Sequence, residues 1–270
     1  MPAGEDDPQV LARRLARERR ARSQAEAIAE KATGDLFGAL EELRELNEAM
    51  RDLVAMASHD LRSPLTVILG YTRILLQNWE RLEEARQRDF VQSIEESARH
   101  LQRIVEDLLI VTRIEAGALQ TRPQVVALRD AVQKVTVALG DHARDIVVTC
   151  TDELTVTADP DHLQRILVNF LTNALKYGAP PIEVRGAALG DWLEIRVLDR
   201  GRGVAPEFVP HLFRRFAREA AEDLPAQRGT GLGLWIVRGL AQANGGDVWY
   251  EPNDPSGAVF GVRIPARLAS

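Results

Sequence analysis

The sequence predicts an α+β protein: an N-terminal coiled coil leading into a dimeric four-helix-bundle hairpin, then an α/β sandwich. Three observations predict it. Residues 8–57 are nearly free of Gly and Pro and rich in Ala, Arg, Glu and Leu. Leu36, Leu43, Met50 and Ala57 recur every seven residues, with Leu40, Asn47, Val54 and Leu61 at the second seam position, the pattern of a two-stranded coiled coil. Beyond Pro123 the apolar period changes, and short strands alternate with helices, which suggests helices packed on one face of a mixed sheet.

The elements follow in order. The basic run from Arg13 to Arg22 reads as a solvated helix face, and Gly34 as a weak point before the seam. Asn47 in the seam costs stability but fixes register and a dimeric state. The seam continues into a segment whose apolar residues, Leu61, Leu65, Ile68, Leu69 and Leu76, recur at steps of three and four, so it is an amphipathic helix. Pro64 is expected to kink that helix. The helix should end near Asn78–Trp79. A second helix runs through Phe90, Ile94, Leu101, Ile104, Val105, Leu108 and Ile114 and closes at Gly117. Two long helices with a short connection make an antiparallel hairpin, and pairing two hairpins into a four-helix bundle covers their apolar stripes. Residues 118–124 read as a linker. Beyond it we expect helices at 128–139, 160–177 and 231–243, and strands at 145–150, 154–158, 182–188, 192–198, 246–250 and 257–264. The resulting domains are 1–50 (signalling linker), 51–118 (hairpin) and 124–268 (sandwich).

Composition narrows the function classes. The chain has 270 residues, a net charge of -6 and 45% apolar residues, enough for a real core and too acidic for general nucleic-acid binding. Its single cysteine, Cys150, precludes an internal disulfide and fits a reducing cytosol. Met1 is followed by Pro2 and acidic residues rather than by an apolar run, and no stretch approaches the roughly 18 apolar residues of a membrane helix. A cytoplasmic protein, touching membranes only through a partner, is expected.

Five constellations carry chemistry. His59 and Asp60 lie side by side in Met56–Ser63, a nucleophile beside a carboxylate that can orient it. Asn169 and Asn173, four residues apart in an apolar helix, share a face and offer carboxamide oxygens, hard ligands suited to Mg²⁺. Lys176, one of only three lysines among 34 basic residues, adds a cation one turn on, beside Tyr177. Asp199 ends a strand and opens Asp-Arg-Gly201-Arg-Gly203, where glycines admit a flat ligand and the carboxylate can accept from an exocyclic amine. Phe213-Arg-Arg-Phe216 with Arg218 frames a charged loop suited to a lid over phosphates. Gly229, Thr230, Gly231, Leu232 and Gly233 open a helix, exposing amides and the positive dipole end to phosphate. That last stretch is neither a Walker loop nor a dinucleotide fingerprint.

In this order the motifs resemble the core of a bacterial sensor histidine kinase over roughly Leu36 to Ile264, with the H, N, G1, F and G2 boxes all in place. The resemblance implies a dimerisation and histidine-phosphotransfer hairpin followed by an ATP-binding domain of the GHKL (Bergerat) type. It implies that His59 is the phosphoacceptor and Asp60 the acid that takes its proton. Asn173 resembles the main Mg²⁺ ligand, with Asn169 beside it. Lys176 and Tyr177 match nucleotide contacts, Asp199 the adenine-reading aspartate, and Arg218 the lid arginine. Gly201, Gly203 and the Gly229–Gly233 stretch would line the pocket. ATP and Mg²⁺ are the implied cofactors. The implied partners are a second copy of the chain, through hairpin and coiled coil, and a separate response regulator, since no receiver domain is present.

Related ATPases carry glutamate where this chain has Asn169, and an amide cannot serve as the base that activates water. Two features depart from the family pattern. Ser63 stands where dephosphorylating members place Thr or Asn. No sensor domain is recognisable before the coiled coil, so the signal is expected from a separate sensor protein or through the helix. The competing readings are a nucleotide-binding, non-catalytic signalling scaffold and an ATP hydrolase. His100, His142, His162 and His211 lack metal-ligand spacing and read as surface or capping residues.

Overall fold

The computed structural model describes residues 8–151, 154–217 and 230–266. The chain divides into two units, residues 1–59 and 60–270. The described residues of the first, 8–59, are a stretch of α1 (Pro8–Asn78), in which Leu36, Phe37 and Leu40 are exposed, apolar residues of the kind a coiled-coil seam covers.

The second unit begins with the last turns of α1, which continues through Pro64. A short 3₁₀ turn at Trp79–Arg81 leads to α2 (Glu84–Glu115). Gln87 Nε2 fastens that turn by donating to the carbonyls of Trp79 (2.7 Å) and Leu82 (3.2 Å), satisfying groups a helix end would leave open. Tyr71 and Phe90 stack across the hairpin at 4.8 Å.

The sandwich follows. Its strands are β1 (Gln124–Ala127), β2 (Ile146–Thr149), β3 (Thr155–Ala158), β4 (Ile182–Leu189), β5 (Trp192–Leu198), β6 (Asp247–Pro252) and β7 (Ala258–Pro265). Its helices are α3 (Leu128–Leu139), α4 (Pro160–Tyr177) and α5 (Gly233–Ala243). The main sheet has the order β2-β4-β5-β7-β6, with β1 and β3 paired separately. β2 runs parallel to β4, and the remaining neighbours in the sheet are antiparallel. Alternate residues of each strand face the helices, among them Val184, Ile195, Val197 and Val262. They meet Leu163, Ile166, Leu167 and Phe170 of α4 and Ile236, Val237 and Leu240 of α5, all at 0 or 1% exposure. The other sheet face is a ladder of paired charges: Arg196 bonds Glu194 and lies over the Trp249 ring at 5.5 Å.

Two findings differ from the sequence expectation. The supposed linker ends in a strand, since Gln124 already pairs with Ala158. His162 is not a plain surface residue: it is half-buried in a polar knot between the start of α4 and the end of α5. Asp159 caps α4 through Oδ1 and accepts from the Arg122 amide through Oδ2 at 2.8 Å. Asn244 Oδ1 accepts from the Asp159 amide at 2.9 Å, and its Nδ2 lies 3.1 Å from His162 Nδ1, which accepts while the ring is neutral.

This knot makes stability pH-dependent. Burial lowers the His162 pKa, against the pull of Asp159 and Asp161. Its contribution is therefore complete above the unfolded histidine value and is lost as pH falls through the lower, folded one. Burial opposes ionisation of Asp159, but the Arg122 and His162 amides outweigh it and hold its pKa low, so acid weakens this group too. Melting temperature should fall on acidification from pH 7. The fall should be smaller in His162→Gln, and equal slopes for both chains would refute the assignment.

Candidate functional site

The site residues gather at one end of the sheet, where β5 ends, β7 begins, α4 ends and α5 starts. Asp159 and Pro160 launch α4 by the usual cap-then-proline device. Its apolar stripe (Leu163, Ile166, Leu167, Phe170, Leu171, Ala174) is buried, which turns Asn169 and Asn173 to a half-buried flank. Asn169 Nδ2 donates to the Arg165 carbonyl at 2.9 Å, fixing which end of the amide is free. The free Oδ1 faces the start of α5, since a Cβ at Gly233 would stand 2.6 Å from it. The asparagine helix and the glycine-rich turn are thus in contact through a spot only hydrogen can occupy. Gly233→Ala should displace the Asn169 carboxamide at an overpacking cost of about 1–3 kcal/mol. The melting temperature should fall by several degrees, and nucleotide titration should show weakened affinity, because the displaced carboxamide borders the glycine-rich turn; unaltered affinity would sink the prediction.

Asp199 is only 4% exposed. Its Oδ1 accepts from the amides of Gly201 (2.8 Å) and Ala258 (3.2 Å), and its carbonyl accepts from Asn253 Nδ2 at 2.7 Å. Burial raises its pKa, and the Gly201 and Ala258 amides oppose that rise. Both amides bind one oxygen, so Oδ2 remains for an incoming donor. Gly178 and Gly201 pack so tightly here that a Cβ on Gly178 would stand 2.5 Å from Asp199 Cγ. Asp199→Asn should keep the fold, because Oδ1 still accepts, while presenting an NH₂ donor to the ligand's amine. A lost charged hydrogen bond is worth about 1.5–3 kcal/mol, so affinity for an adenine nucleotide should drop about ten- to 150-fold. Unchanged affinity would remove Asp199 from the site.

Lys176 and Tyr177 end α4 and are exposed. The Lys176 ammonium pKa is lowered, first by desolvation and then by the Arg103 guanidinium of α2. Gly203 and Gly231 have φ of 73° and 69°, the left-handed backbone that sharp turns require and glycine adopts freely. Thr230 Oγ1 accepts from the Leu232 amide at 3.3 Å, and Leu232 is buried under the turn. His59 and Asp60 lie in α1. Arg218 and Gly229 fall outside the described residues.

Sequence reasoning missed Gly178, Asn253 and Gly257. Gly257 has φ of 113°, and a Cβ there would lie 2.0 Å from the Asp199 carbonyl. The available signal was the Asn253-Asp-Pro-Ser-Gly257 turn just before β7.

The site fits a hard cation in its donor chemistry: two neutral carboxamide oxygens on one helix flank suit an ion that keeps water and bridges phosphates. Among the described residues no cluster of His, Cys, Asp and Glu could hold a metal.

Residues 49–117 match the family described as the His Kinase A (phospho-acceptor) domain. Residues 158–268 match the family of histidine kinase-, DNA gyrase B- and HSP90-like ATPases. The chain is 33% identical over 254 residues to an uncharacterized sensor-like histidine kinase of Rhizobium meliloti, covering 91% of this chain and 47% of that protein. It thus spans about half the length, or less, of curated relatives it matches. The structure of full-length ShkA in complex with AMPPNP is 30% identical with a TM-score of 0.58, covering 82% of this chain and 47% of that one. Histidine kinase ThkA in complex with response regulator protein TrrA is 22% identical with a TM-score of 0.58, covering 83% of this chain and 64% of that one, a likeness of fold.

Proposed function

The chain belongs to the sensor histidine kinase family, and from that premise we propose that it is an ATP-dependent protein-histidine kinase core. It would phosphorylate itself on His59 and pass the group to an aspartate of a separate response regulator. One observation carries this reading: the position that needs a carboxylate for hydrolysis holds Asn169, its amide nitrogen tied to the Arg165 carbonyl. Such a site can hold a nucleotide but has no base there to activate water.

Asp199 Oδ2 would read the adenine amine, with Gly201 and Gly203 allowing the base to lie close. Lys176, Tyr177 and the amides of Gly229–Gly233 would hold the phosphates, and Arg218 would act from the lid. Asn173 and Asn169 would hold Mg²⁺, which when bound neutralises phosphate charge. A ring nitrogen of His59 forms the new bond to the γ-phosphorus while the bond to the β–γ bridging oxygen breaks. ADP leaves with that electron pair, and the proton on the other ring nitrogen passes to Asp60.

Pairing of two hairpins is supported by apolar residues left exposed on α1 (Leu65, Leu69, Leu76) and α2 (Val91, Val105, Leu109). The complex of histidine kinase ThkA with response regulator protein TrrA supports a response regulator as the acceptor partner. Input from a separate sensor protein and a cytoplasmic location remain part of the proposal; no described helix is long and apolar enough to cross a membrane.

A time course with γ-labelled Mg·ATP tests the reading. Label should accumulate on the protein toward a plateau, with free phosphate far below steady turnover. Continuous phosphate release without a phosphoprotein would make the chain a hydrolase. Nucleotide binding with neither product would make it a scaffold.

A further inference from the structure

Asp199 is held in place by a turn that lies far from it in sequence. Asn253, half-buried, is the first residue between β6 and β7, and its Nδ2 donates to the Asp199 carbonyl at 2.7 Å. The other end of this carboxamide is engaged too, since Oδ1 accepts from the Asp254 amide at 3.0 Å. The Asn253 backbone amide closes the turn by donating to the Gly257 carbonyl at 3.0 Å. With both ends bonded, the Asn253 side chain has one orientation. At the far end of the turn, the Asp199 amide donates to the Ala258 carbonyl at 2.9 Å, and the Ala258 amide donates back to Asp199 Oδ1 at 3.2 Å. The amide, the carbonyl and one carboxylate oxygen of Asp199 are thus all bonded by Asn253 and Ala258.

Of these bonds, the one from Asn253 is the hardest to replace. Asp199 is 4% exposed, and the Gly257 backbone presses so closely on its carbonyl that a Cβ there would stand 2.0 Å from the oxygen. Without Nδ2 that oxygen is a buried acceptor with no donor, which costs more than the bond itself contributed. Rotating the peptide toward another donor would relieve the cost. The same rotation turns the Gly201 amide, which holds Asp199 Oδ1 at 2.8 Å, so the carboxylate loses its aim. A group that reads a ligand must be held within about 0.5 Å and 10–20° of its working position.

The hairpin has other holds on this loop. Tyr250 Oη accepts from the Val204 amide at 3.2 Å, and Arg200 Nη1 donates to the Asp254 carbonyl. Neither bond involves Asp199 or the Asn253 side chain, so both should keep the turn seated when Asn253 is changed.

Resting on the kinase reading above, with adenine read by Asp199, we propose that Asn253 is a positioning residue that sets purine specificity by keeping Asp199 Oδ2 aimed at the 6-substituent of the base. An amine there donates to the carboxylate, whereas the oxygen of a 6-oxopurine meets it acceptor to acceptor. Asn253 acts only through Asp199 and lies beyond all five motifs in the sequence.

The test uses the full chain as wild type, Asn253→Ala and Asn253→Asp, titrated with ADP and with inosine diphosphate, whose base carries oxygen in place of the amine. Wild type should prefer ADP. Leaving a buried acceptor unpaired predicts ADP affinity about five- to 150-fold lower in Asn253→Ala. Inosine diphosphate should lose far less, so the preference shrinks. Asn253→Asp keeps the side-chain volume and the acceptor for the Asp254 amide but points an oxygen at the Asp199 carbonyl. It should shrink the preference at least as much, its added charge acting on both nucleotides alike, and it decides the matter if Asn253→Ala does not fold. A merely structural role would weaken both nucleotides together. A wild-type preference in the variants would overturn the proposal while leaving the kinase reading, which rests on wild-type labelling, intact. So would a wild-type chain that labels but binds the two diphosphates equally. A wild-type chain that neither labels nor binds ADP removes both.

Discussion

Replacing His59 with glutamine is expected to abolish labelling of the chain by γ-labelled Mg·ATP while leaving nucleotide affinity unchanged. The amide of glutamine preserves helix propensity and polarity but offers no lone pair nucleophilic enough to attack phosphorus. The residues proposed to hold the nucleotide lie on α4 and in the segments after β5 and before α5, away in sequence from His59, so binding should survive. This separation of binding from transfer distinguishes a kinase whose acceptor is built into the chain from an ATPase, in which no single histidine would matter. Persistent label on the mutant would place the acceptor elsewhere.

Asn173→Ala should have the next largest effect. It removes one of two carboxamide oxygens able to bind a hard cation and leaves Asn169, whose Oδ1 sits against Gly233. Phosphoryl transfer relies on positioning and charge neutralisation rather than covalent participation by the protein. Removing one preorganised electrostatic contact of this kind costs about 10²–10³ in rate. The loss should be partly recovered at high Mg²⁺, because weakened binding yields to mass action. Recovery by Mg²⁺ with ADP affinity preserved is the expected pattern, measured as labelling rate against metal concentration. A rate within threefold of wild type would exclude Asn173 as a metal ligand.

The legible parts of this molecule were those whose signal is local. α4 announces itself through Asp159-Pro160 and an apolar stripe of period 3.6, which by themselves put Asn169 and Asn173 on one helix flank. Asp199 was marked by the apolar strand before it and the glycines after it. What escaped depends on distant partners. β1 is four residues long with half its positions exposed, and only pairing with β3 makes it a strand. The Asp159–Asn244 hydrogen bond joins residues 85 apart, and nothing near His162 foretells it. Gly178 and Gly257 matter because Asp199 is packed against them, a fact of tertiary approach. The ion pairs of Arg165 with Glu106 and Asp107 depend on how α2 meets α4, which no helix pattern encodes.

Where the phosphoryl group goes, and by what bond it is held, decides most directly between a histidine kinase and its alternatives. The labelled wild-type chain should be challenged with acid and alkali, and the label then mapped by trypsin under alkaline conditions. Cleavage after Arg51 and Arg62 releases residues 52–62, which contain both Ser58 and His59. Acid-labile, alkali-stable label on that peptide is the expected result, a phosphorus–nitrogen bond at His59. Acid-stable label, whether on Ser58 or on any other peptide, would contradict it.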